Sequence, residues 1–316
     1  MNSSQSNIKK AKKFLDKNHC IAVPTETVYG LAGNAYSDIS VKKIFKLKKR
    51  PINNPLIVHY CNIEKLKEDC QINDNFIKLY KKFSPGPITY ILKLKKNSKI
   101  SKFVTNKQKN LAIRFPKHNL FKKLLKTLDY PLAAPSANIS NQLSSVEASD
   151  VQEEFGSKIK FVLDGGKCKI GVESTIINLI NKPTILRFGG LEVSKIQKIL
   201  HEKISVSTDS KKKITPGQFH LHYSPVIPLR MNVRNPRKGE AVVLINKRKK
   251  KSKDYFFLSR KKNFNEIAKN LYTLLRKIRN KGYKSIAVEK ISDTGIGKTI
   301  NDRLRRASKY KSKNSV

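Results

Sequence analysis

The chain has 316 residues, enough for one large or two ordinary domains, and its hydrophobic share of 38% is compatible with a packed core. Its 67 lysines and arginines outnumber 23 acidic residues, so the formal net charge is +44. The absence of a CxxC pair, of a secretory h-region and of a membrane-length apolar run argues against zinc-ribbon, redox-motif, secreted and membrane proteins.

The basic excess indicates a polyanionic partner, either nucleotide phosphates or RNA. A coding bias toward Lys, Asn and Ile would give the same composition, and the isoelectric points of unrelated proteins from the same source would separate the two explanations. The cysteines are scattered singly, which is typical of a reducing cytosol, so we expect a cytoplasmic protein. They are Cys20, Cys61, Cys70 and Cys168.

Hydrophobic periodicity predicts alternating helices and strands through the first two thirds of the chain. An amphipathic helix is predicted first, on the spacing of Ile8, Ala11, Phe14 and Leu15. The helices predicted after it are residues 38–49, 63–83, 118–128 and 192–200. The predicted strands are residues 20–23, 55–59, 88–94, 111–113 and 161–163.

The first candidate for a functional segment is residues 24–33, PTETVYGLAG, directly after the first strand. Pro24 ends that strand because it has no N–H for a ladder. The hydroxyls, carboxylate and glycines that follow are typical of a pocket rim. The alternative is a strand-to-helix turn with Thr25 as the N-cap.

Cations and small polar residues supply the other candidates. Lys48 and Arg50 stand where a helix stops, and there they could face a triphosphate or form a solvated cluster at the helix end. The small residues around Ser136 and Asn138 would allow close approach of a ligand or form an ordinary turn. Arg187, before two glycines, is either a phosphate contact or a surface arginine.

A polar stretch at residues 205–213 predicts a domain boundary. The segment after it, PGQFHLHYSP, is too aromatic for a simple spacer, and we expect Phe219, His222 and Tyr223 to be buried. No Cys or carboxylate at ligand spacing accompanies His220 and His222, so we predict no metal site. Beyond it, strands at 241–245, 255–258 and 285–288, with one helix between the last two, predict a small parallel α/β domain.

Six motifs, in order, resemble those of the YrdC-like family, the L-threonylcarbamoyladenylate synthases. They are PTETVYGLAG at 24–33, KKRPINNPLIVH at 48–59, SPGPIT at 84–89, LAIRFP at 111–116, PSANIS at 135–140 and ESTI at 173–176. The HYSP linker and the run NDRLRRA at 301–307 resemble the longer, two-domain members.

The resemblance implies an α/β fold with two parts. A YrdC-like catalytic domain, residues 1–204, would hold a twisted mixed sheet with flanking helices and a basic concave groove. Residues 205–228 would be the linker and active-site lid. Residues 229–316 would form a smaller Rossmann-like domain.

The resemblance also implies a reaction in which L-threonine, bicarbonate and ATP give L-threonylcarbamoyl-AMP and pyrophosphate. No covalent nucleophile is expected; Lys48 and Arg50 would stabilise charge, and Mg²⁺ would be held mainly by the ATP phosphates. The implied ATP-binding residues are Lys48, Arg50, Asn54, Ser136, Asn138, Ser144, Arg187 and Tyr223. The implied L-threonine-binding residues are Thr27, His59, Arg114 and Ser174.

One departure from the family pattern affects Ser144. The family commonly continues with Ser-Gly and then Ser-Pro-Thr, whereas this chain has Ser140-Asn141 and then Ser144-Ser145-Val146. Because Asn tolerates a left-handed backbone, we expect the turn to be kept.

The expected partners are the small-molecule substrates, the tRNA threonylcarbamoyl transferase machinery that would take the product, and RNA if the charge serves direct binding. No membrane partner is expected. The alternative function is a non-catalytic RNA-binding module of the YrdC-like fold, and a threonine-dependent pyrophosphate assay separates the two.

Overall fold

Two β-sheets carry the architecture of the described residues, which are 3–208, 222–247 and 252–310 in this computed structural model. The first sheet contains β1 (Ile21–Val23), β2 (Gly30–Asn34), β3 (Ile57–His59), β4 (Ile88–Lys93), β5 (Asn110–Arg114), β6 (Leu132–Ala133), β7 (Thr175–Asn178), β8 (Thr184–Arg187) and β9 (Ser205–Val206). The second contains β10 (Leu229–Arg230), β11 (Ala241–Asn246), β12 (Tyr255–Ser259) and β13 (Ile286–Val288).

Several helices begin at polar residues that cap the first turn. Ser37, Asn62 and Asn73 accept a backbone N–H of the first turn at three of these starts. The helices are α1 (Ser3–Asp16), α2 (Asp38–Lys48), α3 (Ile63–Asp69), α4 (Asp74–Phe83), α5 (Lys102–Thr105), α6 (Asn119–Lys126), α7 (Ala148–Phe155), α8 (Val193–Leu200), α9 (Phe264–Asn280) and α10 (Gly297–Ala307).

The first sheet is mixed, with strand order β1-β2-β6-β3-β5-β4-β7-β8-β9. β3 pairs with β5 and β4 with β7 in parallel, while β4 and β5 are antiparallel. Central strands such as β3 are buried at every residue, which explains why their sequences are continuous apolar runs. The predicted mixed sheet with flanking helices is confirmed.

The second sheet is parallel throughout, in the order β10-β13-β11-β12. α9 makes the crossover from β12 to β13 and buries Ile267, Leu271, Leu275 and Ile278. The predicted small α/β domain is therefore also confirmed.

Two predicted elements differ from the structure. The single helix expected over 63–83 is two helices, because Cys70 forms a bridge with Leu94 and Asn73 caps the second helix. The strand expected at 161–163 is reduced to one bridge between Ala22 and Val162.

The PTETVYG segment connects two antiparallel strands, since Val23 of β1 pairs with Gly30 of β2. The Thr25 hydroxyl accepts the N–H groups of Thr27 and Val28 at 3.0 and 3.2 Å and donates to the Val28 carbonyl at 2.7 Å. The turn closes on itself without a helix. The alternative in which Thr25 caps a helix is therefore wrong.

The predicted linker, residues 205–228, begins too early, because residues 205–206 form β9 and pair with β8 of the first sheet; the second sheet begins at β10, directly after the linker. The predictions for Phe219 and His220 lie outside the described residues. No helix in the described ranges has the length and apolarity needed to cross a bilayer.

Candidate functional site

One cavity is lined by residues from five of the six motifs, all except SPGPIT, together with Ala134, Arg187 at the end of β8, and His222 and Tyr223. Its lining is Thr25, Val28, Tyr29, Gly30, Arg50, Ile57, His59, Arg114, Ala134, Pro135, Ser136, Glu173, Ser174, Arg187, His222 and Tyr223. Seven of the residues implied by the family resemblance are thus brought together: Arg50, His59, Arg114, Ser136, Ser174, Arg187 and Tyr223.

Arg50 enters the cavity because α2 ends two residues earlier, at Lys48. Lys49 takes a left-handed conformation, with φ of 49°, and turns the chain away from the helix axis. The Arg50 guanidinium then donates from Nε to the Asn54 carbonyl at 3.0 Å and from Nη2 to the Asn54 side chain and to Pro55 O at 2.9 Å. Burial lowers the pKa of Arg50 to about 9.

Lys48 does not line this cavity, and neither does Asn54. Lys48 is only 1% exposed, and its Nζ donates to the carbonyls of Ser136 and Asn138 at 2.5 Å each. Burial, and then the charge of Arg50, hold the pKa of Lys48 well below its usual value. The hydrogen bonds of Lys48 thus hold the Ser136–Asn138 loop in place, while those of Asn54 hold the Arg50 side chain.

Of the serine and asparagine residues predicted to bind ATP, only Ser136 faces the cavity. Asn138 donates to the carbonyls of Ile139 and Gln142 at 2.7 and 3.0 Å. Ser144 donates to Glu173 at 2.6 Å. Asn141 takes the left-handed conformation, with φ of 70°, so the turn expected at that position is present.

His59 and Arg114 lie side by side because β3 and β5 pair in parallel at these two residues. The Arg114 Nη2 is 2.7 Å from a carboxylate oxygen of Glu26. Burial, reinforced by the charge of Arg114, lowers the pKa of His59 to about 3, so the imidazole is neutral. Thr27 is buried just behind the lining, with its hydroxyl 2.8 Å from that of Thr25.

Ser174 and Arg187 meet in the cavity wall. Arg187 donates to the Ser174 carbonyl at 3.1 and 2.9 Å and to its hydroxyl at 3.1 Å. That hydroxyl also lies 2.7 Å from the hydroxyl of Thr89. The residues implied for threonine and for ATP are therefore in direct contact at this point.

Tyr223 closes one side of the cavity and is 1% exposed. The Arg303 guanidinium from α10 lies 4.6 Å from the centroid of its ring, and Tyr272 of α9 stacks at 6.0 Å. Arg303 also binds Glu173 at 2.7 Å, and Tyr272 donates to the same carboxylate at 3.1 Å. The second domain thus contributes to the wall of a cavity in the first.

Glu173 is the centre of this contact between domains. Burial alone would raise its pKa, but the charges of Arg303 and Arg187 and the Ser144 hydroxyl outweigh burial and lower its pKa to about 2. The carboxylate is therefore ionised, and it balances guanidinium charge in the wall.

Sequence reasoning gave no ligand role to Glu173 in the lining or to Arg303 behind it, and it placed Thr25, Tyr29 and His222 in the pocket rim and lid without assigning them a ligand. Glu173 directly precedes Ser174 in the ESTI motif, and Arg303 stands in the NDRLRRA run, so both were within recognised motifs. Nothing in the sequence pairs these two residues, which are 130 positions apart.

Three guanidinium groups, from Arg50, Arg114 and Arg187, thus face one cavity lined with hydroxyls. Buried guanidinium groups match phosphate and carboxylate in geometry and charge. Among the described residues of the lining there is no cysteine, and the serines are Ser136 and Ser174. The arrangement is suited to binding and orienting anionic substrates.

Comparison with known proteins agrees with this geometry. Residues 13–189 match the Sua5/YciO/YrdC family model, described as telomere recombination. Residues 191–309 match the model of the threonylcarbamoyl-AMP synthase C-terminal domain.

Relatives match over nearly the whole length. A threonylcarbamoyl-AMP synthase of Pyrococcus abyssi is 35% identical, over 96% of this chain and 94% of its own. One of Bacillus subtilis is 34% identical, over 98% of this chain and 94% of its own. The crystal structure of P. abyssi Sua5 complexed with L-threonine superposes with a TM-score of 0.88 at 34% identity, over 95% of this chain and 94% of that one.

The fold and the site together define a class of protein. In this class a mixed-sheet domain with a cationic cavity is joined to a small parallel-sheet domain. The chain belongs to the threonylcarbamoyl-AMP synthase family, in its two-domain form.

Proposed function

We propose that this protein converts L-threonine, bicarbonate and ATP to L-threonylcarbamoyl-AMP and pyrophosphate, and is therefore a nucleotidyltransferase. The observation that carries the proposal is the convergence of the buried Arg50, Arg114 and Arg187 on one cavity in a chain of this family. Relatives that bear the name of this activity, matched over nearly their full length, support it.

The reaction needs no protein nucleophile. The threonine amine attacks bicarbonate to give a carbamate with loss of water, and a carbamate oxygen then attacks the α-phosphate and expels pyrophosphate. The protein would position the substrates and stabilise charge, with Arg50 and Arg187 toward the phosphates and Arg114 toward the threonine carboxylate. Because His59 is neutral, it adds no further positive charge beside Arg114.

Magnesium would be carried by the ATP phosphates, because Mg²⁺ keeps several waters and needs few protein carboxylates. The only described carboxylate in the lining, Glu173, already binds Arg303, Ser144 and Tyr272. The described ranges also contain no group of three or more His, Cys, Asp or Glu able to hold a metal. This donor set fits a metal that arrives with its substrate.

The segment that carries His222 and Tyr223 would act as a lid over the site. Carbamates lose carbon dioxide in water, so a closed cavity would protect the intermediate. The burial of Tyr223 between Arg303 and Tyr272 supports this role. Comparing the intact chain with Tyr223→Ala tests it: the variant should release AMP or lose part of its threonine dependence, and unchanged turnover would reject the lid.

The product would pass to the tRNA threonylcarbamoyl transferase machinery in the cytoplasm. The net charge of +44 also allows direct contact with RNA. A non-catalytic RNA-binding module would use that charge as well, but it would give no reason for a cavity with a neutral His59 and three buried arginines.

The deciding experiment is pyrophosphate release from ATP by the purified protein. Release should require both L-threonine and bicarbonate. Equal release without threonine, or none under any condition, would reject the proposed function.

A further inference from the structure

Arg114 is held by a buried carboxylate for which the proposed mechanism has no role so far. We propose that Glu26 is a positioning residue that fixes the Arg114 guanidinium and limits its charge, so that this end of the cavity selects the single carboxylate of an amino acid. The inference rests on the proposed function, because it takes Arg114 as the threonine contact.

The Glu26 carboxylate is held from two sides. One oxygen is 2.7 Å from the Arg114 Nη2, in a pair whose side chains are 7% and 5% exposed. The other accepts the backbone N–H of Lys117 at 3.0 Å. Since Lys117 lies three residues after β5, the strand that carries Arg114, the carboxylate is bound both to the end of that strand and to the loop that follows it.

The backbone of Glu26 is fixed as well. Its carbonyl accepts the N–H of Ile170 at 2.9 Å, and the carbonyl of Thr27 accepts the N–H of Gly171 at 3.1 Å. The turn after β1 is thereby joined to the segment that leads to Glu173 and Ser174. Glu26 therefore has little freedom to follow Arg114 if the guanidinium moves.

These contacts leave Arg114 one orientation. Its Nε donates to the Gly86 carbonyl at 3.3 Å, and its Nη2 is taken by Glu26. Guanidinium carries several N–H donors in a rigid plane, so fixing two of its nitrogens aims the remaining donors. Glu26 itself is outside the cavity lining, whereas Arg114 is part of it.

The Glu26–Arg114 pair also favours one kind of anion over another according to its charge. Arg50 binds the neutral oxygens of Asn54 and Pro55, so its full positive charge is available to a triphosphate. Arg114 is already balanced by Glu26, so it favours a singly charged carboxylate over a polyphosphate. The two ends of an arginine-rich cavity would otherwise compete for the same ligand.

The test is the Glu26→Gln variant, which keeps the shape and can still accept the Lys117 N–H but removes the charge. Loss of a charge-assisted contact predicts a rise of about tenfold in the KM for threonine. The KM for ATP should stay within about twofold, because Arg50 and Arg187 are untouched.

Glu240→Gln is a matched control in the second domain. Glu240 is also buried, pairs with Arg230 at 2.6 Å and accepts the Arg237 N–H at 2.8 Å. Its removal should leave both KM values unchanged, since neither Glu240 nor Arg230 lines the cavity.

A double-mutant comparison then separates positioning from folding. If Glu26 acts through Arg114, Glu26→Gln should add nothing to the threonine KM of Arg114→Ala. Full additivity overturns the inference, and so does an unchanged threonine KM in Glu26→Gln. Equal loss of ATP and threonine affinity in both Glu26→Gln and Glu26→Asp would assign Glu26 to folding alone. Absence of threonine-dependent activity in the unaltered protein would instead reject the proposed function.

Discussion

Lys49 and Arg50 are adjacent cations with opposite surroundings. Arg50 is buried and lines the cavity, whereas Lys49 is exposed and serves as the left-handed end of α2. Arg50→Ala should therefore reduce kcat/KM by about one to two decades, the value of a charge-assisted phosphate contact. Lys49→Ala should change it less than about twofold. Steady-state kinetics decide, and similar losses in the two variants would mean that only bulk charge matters.

His59 predicts a pH dependence of stability. Its pKa falls from 6.5 in the unfolded chain to about 3 in the folded protein, through burial and then the charge of Arg114. Between these values the unfolded chain binds a proton that the native state does not, so stability falls as pH falls below 6.5. At pH 5 the loss from this residue is about 2 kcal/mol.

Denaturant unfolding at pH 7 and pH 5, in the unaltered protein and in His59→Gln, isolates this contribution from those of other buried histidines. The drop in unfolding free energy should be smaller in the variant. Identical drops in the two proteins would show that His59 is not buried neutral.

At the level of single residues, the sequence could identify which cations belong to the site but not which way each side chain points. Lys48 and Arg50 stand two positions apart in one motif, yet Arg50 faces the cavity and Lys48 the Ser136–Asn138 loop. The left-handed Lys49 between them causes the difference. A lysine is not a residue type from which that conformation is expected, so the motif alone could not separate the two roles.

At the level of elements, substitutions in the loop between β8 and α8 should lower stability. A Cβ on Gly189 would lie 2.2 Å from the backbone of both Ser174 and Thr175, which cannot give way without moving β7. A Cβ on Gly190 would lie 2.9 Å from a methyl group of Ile170, which can rotate. Gly189→Ala should cost about 1–3 kcal/mol and Gly190→Ala less.

Thermal unfolding and threonine KM together measure the two glycine variants. Gly189→Ala should lower Tm and raise the threonine KM, because Ser174 must shift. The result would be contradicted if Gly190→Ala were the more damaging of the two.

The elements themselves were largely predictable, because apolar runs and turn residues mark them. β11 to β13 were expected from the sequence at nearly their observed bounds, and a helix was expected where α9 lies, between β12 and β13. The division between α3 and α4 was not, since it depends on the bridge from Cys70 to Leu94, a contact made in space. The hairpin at Thr25 was missed for the same reason, because strand pairing decides it.

At the level of the whole molecule, α10 links the two domains through Arg303. This side chain is 1% exposed and binds Glu173 and the ring of Tyr223. Arg303→Ala should cost about 3–5 kcal/mol, because it leaves Glu173 buried and partly unbalanced. Arg305→Ala, an exposed arginine of the same helix, should change stability by less than about 0.5 kcal/mol.

Denaturant unfolding measures both arginine variants, and threonine-dependent turnover shows whether the domain contact reaches the cavity. A stable but inactive Arg303→Ala protein would place its effect on the site rather than on folding. Equal stability losses for Arg303→Ala and Arg305→Ala would contradict the buried pair.

Because Lys48 is buried, the positive charge of the cavity comes from guanidinium groups and that of the exterior largely from lysine amines, which react differently. The charged side chains lining the described cavity are guanidinium groups and one carboxylate, and the lysine behind them is 1% exposed. Reagents that acylate amines should therefore neutralise the lysine-rich exterior while the substrate cavity keeps its charge. A protein acylated on its exposed lysines that still turns over threonine but no longer retains RNA would show that the exterior and the cavity serve different ligands.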